Sequence, residues 1–183
     1  MEKDQIREQY LAIRNAMSME ACMEKSAVIL KKLEKQDVFL RSWKVALYAS
    51  CKNEVITYPL IARAKQLDKG VAFPSFTAKE PHMDFRYILS VSDLKAGAFH
   101  MLQPKENATI MEHPDLIVMP LVAFDAQRNR IGMGGGYYDR YLTAHPKAYT
   151  IAIGYECQKT ETIPADPFDI RPDLIITEEN IYD

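Results

Sequence analysis

The sequence predicts an α/β fold. The expected architecture is a single layered domain over residues 1–183, with a mostly parallel central sheet flanked by helices and with helices at its N-terminus. Three observations carry this. Segments with apolar residues at helical spacing alternate with short apolar runs. The runs at 116–121 (LIVMPL), 149–155 (YTIAIGY) and 174–177 (LIIT) have the unbroken hydrophobicity of strands covered on both faces. A chain of 183 residues, 48% hydrophobic and 26% charged, has the size and composition to bury one core without staples.

The first element is an amphipathic helix over 2–17, in which Ile6, Tyr10, Ile13 and Met17 recur on one face. Lys3, Arg7 and Arg14 fall within about 40° of one another on a stripe bordering that face. Spacing alone leaves two readings open for them: snorkelling surface cations, or cations aimed into a cleft. Ser18 reads as the N-cap of a second helix through about Lys35. The run 44–50 (KVALYAS) lacks a helical period and is a candidate buried strand. Residues 54–68 read as a helix with Pro59 in its first turn and Gly70 just past its end. Strands follow at 71–76 and 83–89, then a polar loop at 106–114 and the three apolar runs named above.

Composition excludes several classes of function. Lys and Arg number 23 against 25 Asp and Glu, a net charge of −2 that supplies no field for nucleic acid or anionic membrane, so any anion site must be local. The expectation is a chain with neither nucleic acid nor membrane as partner. Cys22, Cys51 and Cys157 are odd in number and far apart, which argues against zinc and for free, buried thiols in a reducing compartment. The charged start carries no apolar signal region, and the expected location is the cytoplasm.

The strongest local signal is glycine. Of seven glycines, four (Gly132, Gly134, Gly135 and Gly136) lie within five residues. Such a run implies a backbone that takes positive φ or approaches something closely, and its successive N–H groups form an anion-binding concavity. It follows the strand at 116–121 after a short turn and opens a helix at Tyr137. Loop amides and helix dipole then point the same way, a phosphate-binding arrangement. Neither common nucleotide fingerprint is present: GxxxxGK[ST] is absent, and GxGxxG fails at Tyr137. Arg130 and Arg140 flank the loop and could neutralise phosphate; a tight turn with solvated arginines is the plainer alternative.

The segment 115–142 resembles the signature of the 5-formyltetrahydrofolate cyclo-ligase family, with Pro120, Phe124, Asp125, Arg130, Gly132, Gly134, Gly136, Tyr137, Tyr138 and Asp139 in register. The resemblance extends to Lys3, Arg7 and Arg14, to Glu54, Pro74, Met83 and Asp84, and to Ile163, Pro164, Asp169 and Asp173. Two departures stand out. Arg128 replaces a common glycine, and 99–104 (FHMLQP) replaces a pattern closer to Tyr-Gly-Ile-x-Glu-Pro.

The resemblance implies an enzyme that uses ATP and Mg²⁺ to convert 5-formyltetrahydrofolate into 5,10-methenyltetrahydrofolate, releasing ADP and phosphate through an N5-iminium phosphate. It places Arg130 and Tyr137 at the catalytic centre. It assigns the phosphates to Arg130, Ile131, Gly132, Met133, Gly134, Gly135, Gly136, Tyr137 and Tyr138, with Lys3, Arg7 and Arg14 closing from the first helix. Asp139 and Asp169 would hold Mg²⁺, although by position Asp139 also reads as a helix-start carboxylate favoured by the dipole. Ala49, Glu54, Phe99, Met133, Gly134, Gly135, Gly136 and Tyr137 would contact the folate. Two other classes fit the bare pattern: a sugar-phosphate isomerase or acyltransferase-like enzyme, and a non-catalytic nucleotide- or folate-binding protein.

Overall fold

A computed structural model describes residues 2–76, 82–98 and 101–183. Helices α1 (Lys3–Asn15), α2 (Met19–Glu34) and α3 (Asp37–Arg41) come first. Ser18 caps α2 as expected, its hydroxyl accepting from Ala21 N at 3.1 Å. Strand β1 (Lys44–Ala46) then enters the sheet, followed by α4 (Pro59–Gln66), β2 (Gly70–Phe76) and β3 (Met83–Ile88). The short strands β4 (Leu94–Ala96) and β5 (Leu102–Pro104) form a separate pair. After β6 (Leu116–Pro120) come the small hairpin of β7 (Ala123–Phe124) and β8 (Arg130–Ile131), helix α5 (Tyr137–Ala144), and strands β9 (Tyr149–Ile153), β10 (Leu174–Ile176) and β11 (Ile181–Tyr182).

The main sheet runs β11-β10-β9-β6-β1-β2-β3. Its five inner strands are parallel, and only the edges β11 and β3 are antiparallel. Alternate side chains serve two cores. Val45, Val71, Leu116 and Ile151 pack on α2, α3 and α4, while Ala46, Ala72, Ile117 and Ala152 pack on the opposite side with Tyr141 and Leu142 of α5. Burial on both faces explains why these strands read as continuous apolar runs.

From β1 the chain moves through α4 to β2 on one side, and β6 later adds on the other. The strand order therefore reverses at β1, and the C-terminal ends of β1 and β6 mark the place where open α/β sheets bind ligands. Glu54 follows one of these strands and the glycine loop the other. No helix among the described residues is long and apolar enough to cross a membrane.

Three local expectations need correction. The helix expected from residue 54 starts at Pro59, because a proline further inside would lack the N–H and clash with the preceding turn. Residues ahead of it hook back onto the exit of β1, with Thr57 and Tyr58 hydroxyls donating to Tyr48 O and Ser50 O at 2.5 and 3.0 Å. After this helix it is Asp68, at φ 54°, that takes the left-handed position expected of a glycine, and Gly70 opens β2. Of the three thiols only Cys22 is fully buried; Cys51 is half-buried and Cys157 exposed.

Candidate active site

The turn that leads into β8 and the glycine loop is built around a buried carboxylate. Asp125 is fully buried in the β7–β8 turn, where Oδ1 accepts from Gln127 N and Asn129 N at 3.0 and 2.9 Å. Its Oδ2 accepts from Asn129 Nδ2 and Ile163 N at 2.8 and 3.0 Å. This Asx arrangement forces Arg128 to φ 65°, so the arginine adopts the conformation that a glycine takes more readily. Gly134 and Gly136 have φ of 92° and 63°, a conformation that side chains rarely adopt, and a Cβ added at either would touch an arginine. Arg7 comes within 3.4 Å at Gly134 and Arg140 within 2.9 Å at Gly136. Arg7 Nε also donates to Gly132 O at 2.8 Å, so α1 grips the loop directly.

Acidic groups balance these cations. Arg130 Nη2 donates to Asp139 Oδ1 at 2.7 Å, and Ile170 N donates to the same oxygen at 3.1 Å. Lys3 pairs with Asp169 and, at 2.6 Å, with Asp166. Burial would raise the Asp169 carboxyl, but the hydrogen bond from Lys3, Asp166 N–H and the charges of Lys3 and Arg130 outweigh it and hold it below the usual carboxylate range.

On the β1 side, Arg14 is only 2% exposed and lies 3.7 Å from Glu54 Oε1, with Nη1 donating to Leu121 O at 3.3 Å. Glu54 is buried and accepts from Cys51 N at 3.1 Å. Burial raises its pKa, and Arg14 together with the Cys51 N–H opposes part of that rise. Tyr155, fully buried, donates to Glu54 O at 3.1 Å. The Tyr138 hydroxyl is pushed well above its ordinary pKa, first by burial and then by the Glu54 charge, with Arg130 opposing.

Among the described residues, three buried polar atoms here have no hydrogen-bond partner: Arg14 Nε, Arg130 Nε and the Tyr138 hydroxyl. Such groups cost about 1–3 kcal/mol each when left unmet, so Arg130 Nε and the Tyr138 hydroxyl by the loop, and Arg14 Nε on the Glu54 side, are donors or acceptors that a polar ligand would complete. Beside the loop Tyr137 packs edge-on against Phe76 at 5.0 Å, and Arg140 lies 5.4 Å over its ring. A cavity of about 500 Å³ continues from Tyr137 and Arg140 along α5, past Met83, Phe85 and Met111. The arrangement can hold a polyanion at the loop and a planar molecule against the aromatic wall.

The sequence model of the 5-formyltetrahydrofolate cyclo-ligase family matches residues 1–178. The chain belongs to that family. A 5-formyltetrahydrofolate cyclo-ligase of Haemophilus influenzae is 34% identical over 132 residues, covering 69% of this chain and 71% of that protein. One from Mus musculus is 28% identical over 178 residues, covering 90% and 88%. The NMR structure of 5,10-methenyltetrahydrofolate synthetase from Aquifex aeolicus superposes with a TM-score of 0.85 at 31% identity, over 99% of this chain and 92% of that one. The synthetase from Mycoplasma pneumoniae gives 0.79 at 28% identity, over 97% and 99%. As a member of the cyclo-ligase family, the chain is an enzyme of the ligase class.

Within this cyclo-ligase the structure brings Lys3, Arg7, Arg130, Asp139 and Asp169 around the glycine loop. Arg14 lies elsewhere: its contacts are Glu54 and Leu121 O rather than the loop. Ile131, expected to meet phosphate through its backbone N–H, has its side chain 2% exposed in a small core with Ile6, Ala123 and Ile163. Met133 stands 63% exposed at the loop tip, and Ala49 is buried at the exit of β1. Phe99 lies outside the described residues. Reading the sequence left without a role the Asp125 hub, the Asp166 partner of Lys3, Phe76 and Tyr155. For Asp125 a signal existed, since Asp followed by Asn four residues later in a polar turn is an Asx pattern; for Phe76 and Tyr155 long-range packing alone decides.

Proposed function

We propose that this chain converts 5-formyltetrahydrofolate into 5,10-methenyltetrahydrofolate at the expense of ATP, with Mg²⁺. The observation that carries the reading is the convergence of Arg7 and Arg130 on a glycine loop with two left-handed residues, in the segment that follows β6, next to the strand where the order reverses. Family membership supplies the substrate class.

The chemistry accounts for the arrangement. A formyl group on N5 is an amide: its carbon is a poor electrophile and its oxygen a poor leaving group. ATP, when bound, supplies the phosphoryl group that makes that oxygen leave as phosphate once N10 has attacked the carbon. Little covalent work then falls to the protein, and positioning with charge stabilisation dominates. The loop amides and Arg7 hold the phosphates, and Arg130 stabilises charge on the migrating group. Glu54 accepts hydrogen bonds from the pterin or its N10 side, while Tyr137 with Phe76 supplies an aromatic face.

The donor set fits both absent groups. Arg130 Nε and the Tyr138 hydroxyl suit a phosphorylated, hydrogen-bonding ligand at the loop, and Arg14 Nε lies on the Glu54 side. Asp139 and Asp169 offer the hard oxygens that Mg²⁺ takes one or two at a time beside phosphate oxygens and water, and no cluster of three ligating side chains is present among the described residues. Asp139 and Asp169 would hold the ion; bound there, it would neutralise phosphate charge.

The deciding experiment incubates the folded chain with Mg²⁺, ATP and 5-formyltetrahydrofolate. The expected result is a methenyl product seen by near-ultraviolet absorbance, with one ADP per turnover and no ATP hydrolysis without the folate. Absence of product from folded protein overturns the reading.

A further inference from the structure

We propose that Asn53 is a positioning residue that sets the register of helix α1 against the loop after β1, and through that register places Arg14 against Glu54. Its side-chain nitrogen donates to the carbonyls of Arg14, Asn15 and Met17 at 3.1, 3.3 and 2.8 Å. Arg14 and Asn15 end α1 and Met17 lies two residues beyond it, where the carbonyls of a last turn run short of internal partners, although Met17 N also donates to Arg14 O at 3.2 Å. One carboxamide from a turn 36 to 39 residues away therefore caps the helix and ties it down.

The pin stands one residue before the carboxylate it serves. Cys51 to Glu54 form a tight turn closed by Glu54 N donating to Cys51 O at 3.1 Å, with Lys52 at φ 50°. The other ties of the helix lie toward its start and middle: Lys3 to Asp166 and Asp169, Arg7 to Gly132 O and Tyr10 to Lys159 O, with Ile6 in a small core. Only Ile6 and Arg14 of its thirteen residues are fully buried. The same helix carries Arg7, which grips the glycine loop at Gly132. A helix advances 1.5 Å per residue, so a slip at Asn53 displaces the contacts at both of its ends together. The residue type matters: an aspartate there has no donor and would set a charge against three carbonyls.

The inference rests on the proposed function for its kinetic arm only. Glu54 is faced by Arg14 from α1, by Cys51 and Lys52 from its own turn, by Tyr48 at the exit of β1, by Tyr58 ahead of α4 and by Tyr138 of α5. Arg14 is the group whose distance depends on the pin, and its charge holds the Glu54 pKa down. Loosening the pin should then move the Glu54 titration to higher pH.

The test compares wild type with Asn53→Ala. It uses NMR titration of the Glu54 carboxyl in the unliganded protein, assigned with Glu54→Gln, and the pH profile of kcat/KM. Expected are a Glu54 titration shifted upward, an acidic limb shifted with it, and a loss of kcat/KM on the order of 10- to 100-fold, as for an ångström-scale misplacement. Asn53→Ser, which keeps one donor, should fall between the two, and it carries the test if Asn53→Ala does not fold. A folded variant with unchanged Glu54 titration overturns the proposal whatever its rate. A shifted titration in a protein whose wild type turns over no folate supports the pin and overturns the function.

Discussion

Arg130 is 7% exposed at its side chain and bonded to Asp139, so in the unliganded enzyme its charge is already aimed across the glycine loop. If it meets the migrating phosphoryl group, it acts more strongly in the transition state than in the ground state. Arg130→Ala should then lower kcat and kcat/KM together by about 2.7–4 kcal/mol, on the order of 10²- to 10³-fold, with partial recovery in Arg130→Lys. A raised KM for ATP at unchanged kcat would reduce the residue to a ground-state grip. At Lys3 the effect is on stability. The folded Asp169 carboxyl lies below its unfolded value near 3.9, so the pair's contribution is present above that pH and is lost as pH falls through the folded value. Lys3→Ala should therefore cost about 0.2–1 kcal/mol at pH 7, the modest size reflecting partial exposure, and almost nothing in strong acid. Denaturant titrations at the two pH values check this; an equal deficit at both would mean the pair does not carry it.

At the scale of elements, the parts legible in the sequence were those with a local cause. Both-face burial made β6, β9 and β10 readable as apolar runs, Ser18 announced α2, and the glycine cluster announced the loop. The start of α4 was misread because helical spacing continued upstream of Pro59, while side-chain bonds to the exit of β1 hold those residues in a loop. The β7–β8 turn gives a prediction of its own. A non-glycine residue in the left-handed region costs roughly 1–2 kcal/mol, and glycine gives back about half of that through chain entropy. Arg128→Gly should thus stabilise by about 0.5–1 kcal/mol, raising Tm by roughly 1–4 °C at unchanged activity. Gly134→Val is the opposite case: at φ 92° and 3.4 Å from the Arg7 guanidinium, the new side chain should weaken ATP binding more than folding. Circular dichroism beside an ATP titration separates the two, and unaltered affinity would make the loop merely structural.

Across the whole molecule, the site is assembled from segments that are remote in sequence and close only in the fold. Lys3 reaches Asp166 and Asp169, Arg7 reaches Gly132, Arg14 reaches Glu54 and Leu121, and Tyr10 donates to Lys159 O at 3.0 Å. Periodicity places Lys3, Arg7 and Arg14 on one stripe but leaves open whether they face solvent or a cleft, because the answer lies in loop segments more than 100 residues away. This layout ties nucleotide binding to global stability. Helix α1 docks chiefly through polar contacts, and a bound polyphosphate would add charge-assisted bonds between α1, the glycine loop and the 166–169 turn at once. A ligand that binds only the folded state at about 100 times its Kd adds about 2.7 kcal/mol, which in a chain of this size raises Tm by roughly 5–11 °C. ATP with Mg²⁺ should do this without folate, and should also slow proteolysis within α1. Arg7→Ala should reduce the shift at the same ATP concentration, and high salt should reduce it further, since the contacts are between partly exposed charges. Calorimetry across an ATP series measures it. A Tm that stays constant up to millimolar ATP, with the protein folded at the start, would mean that α1 and the loop do not form the nucleotide clamp.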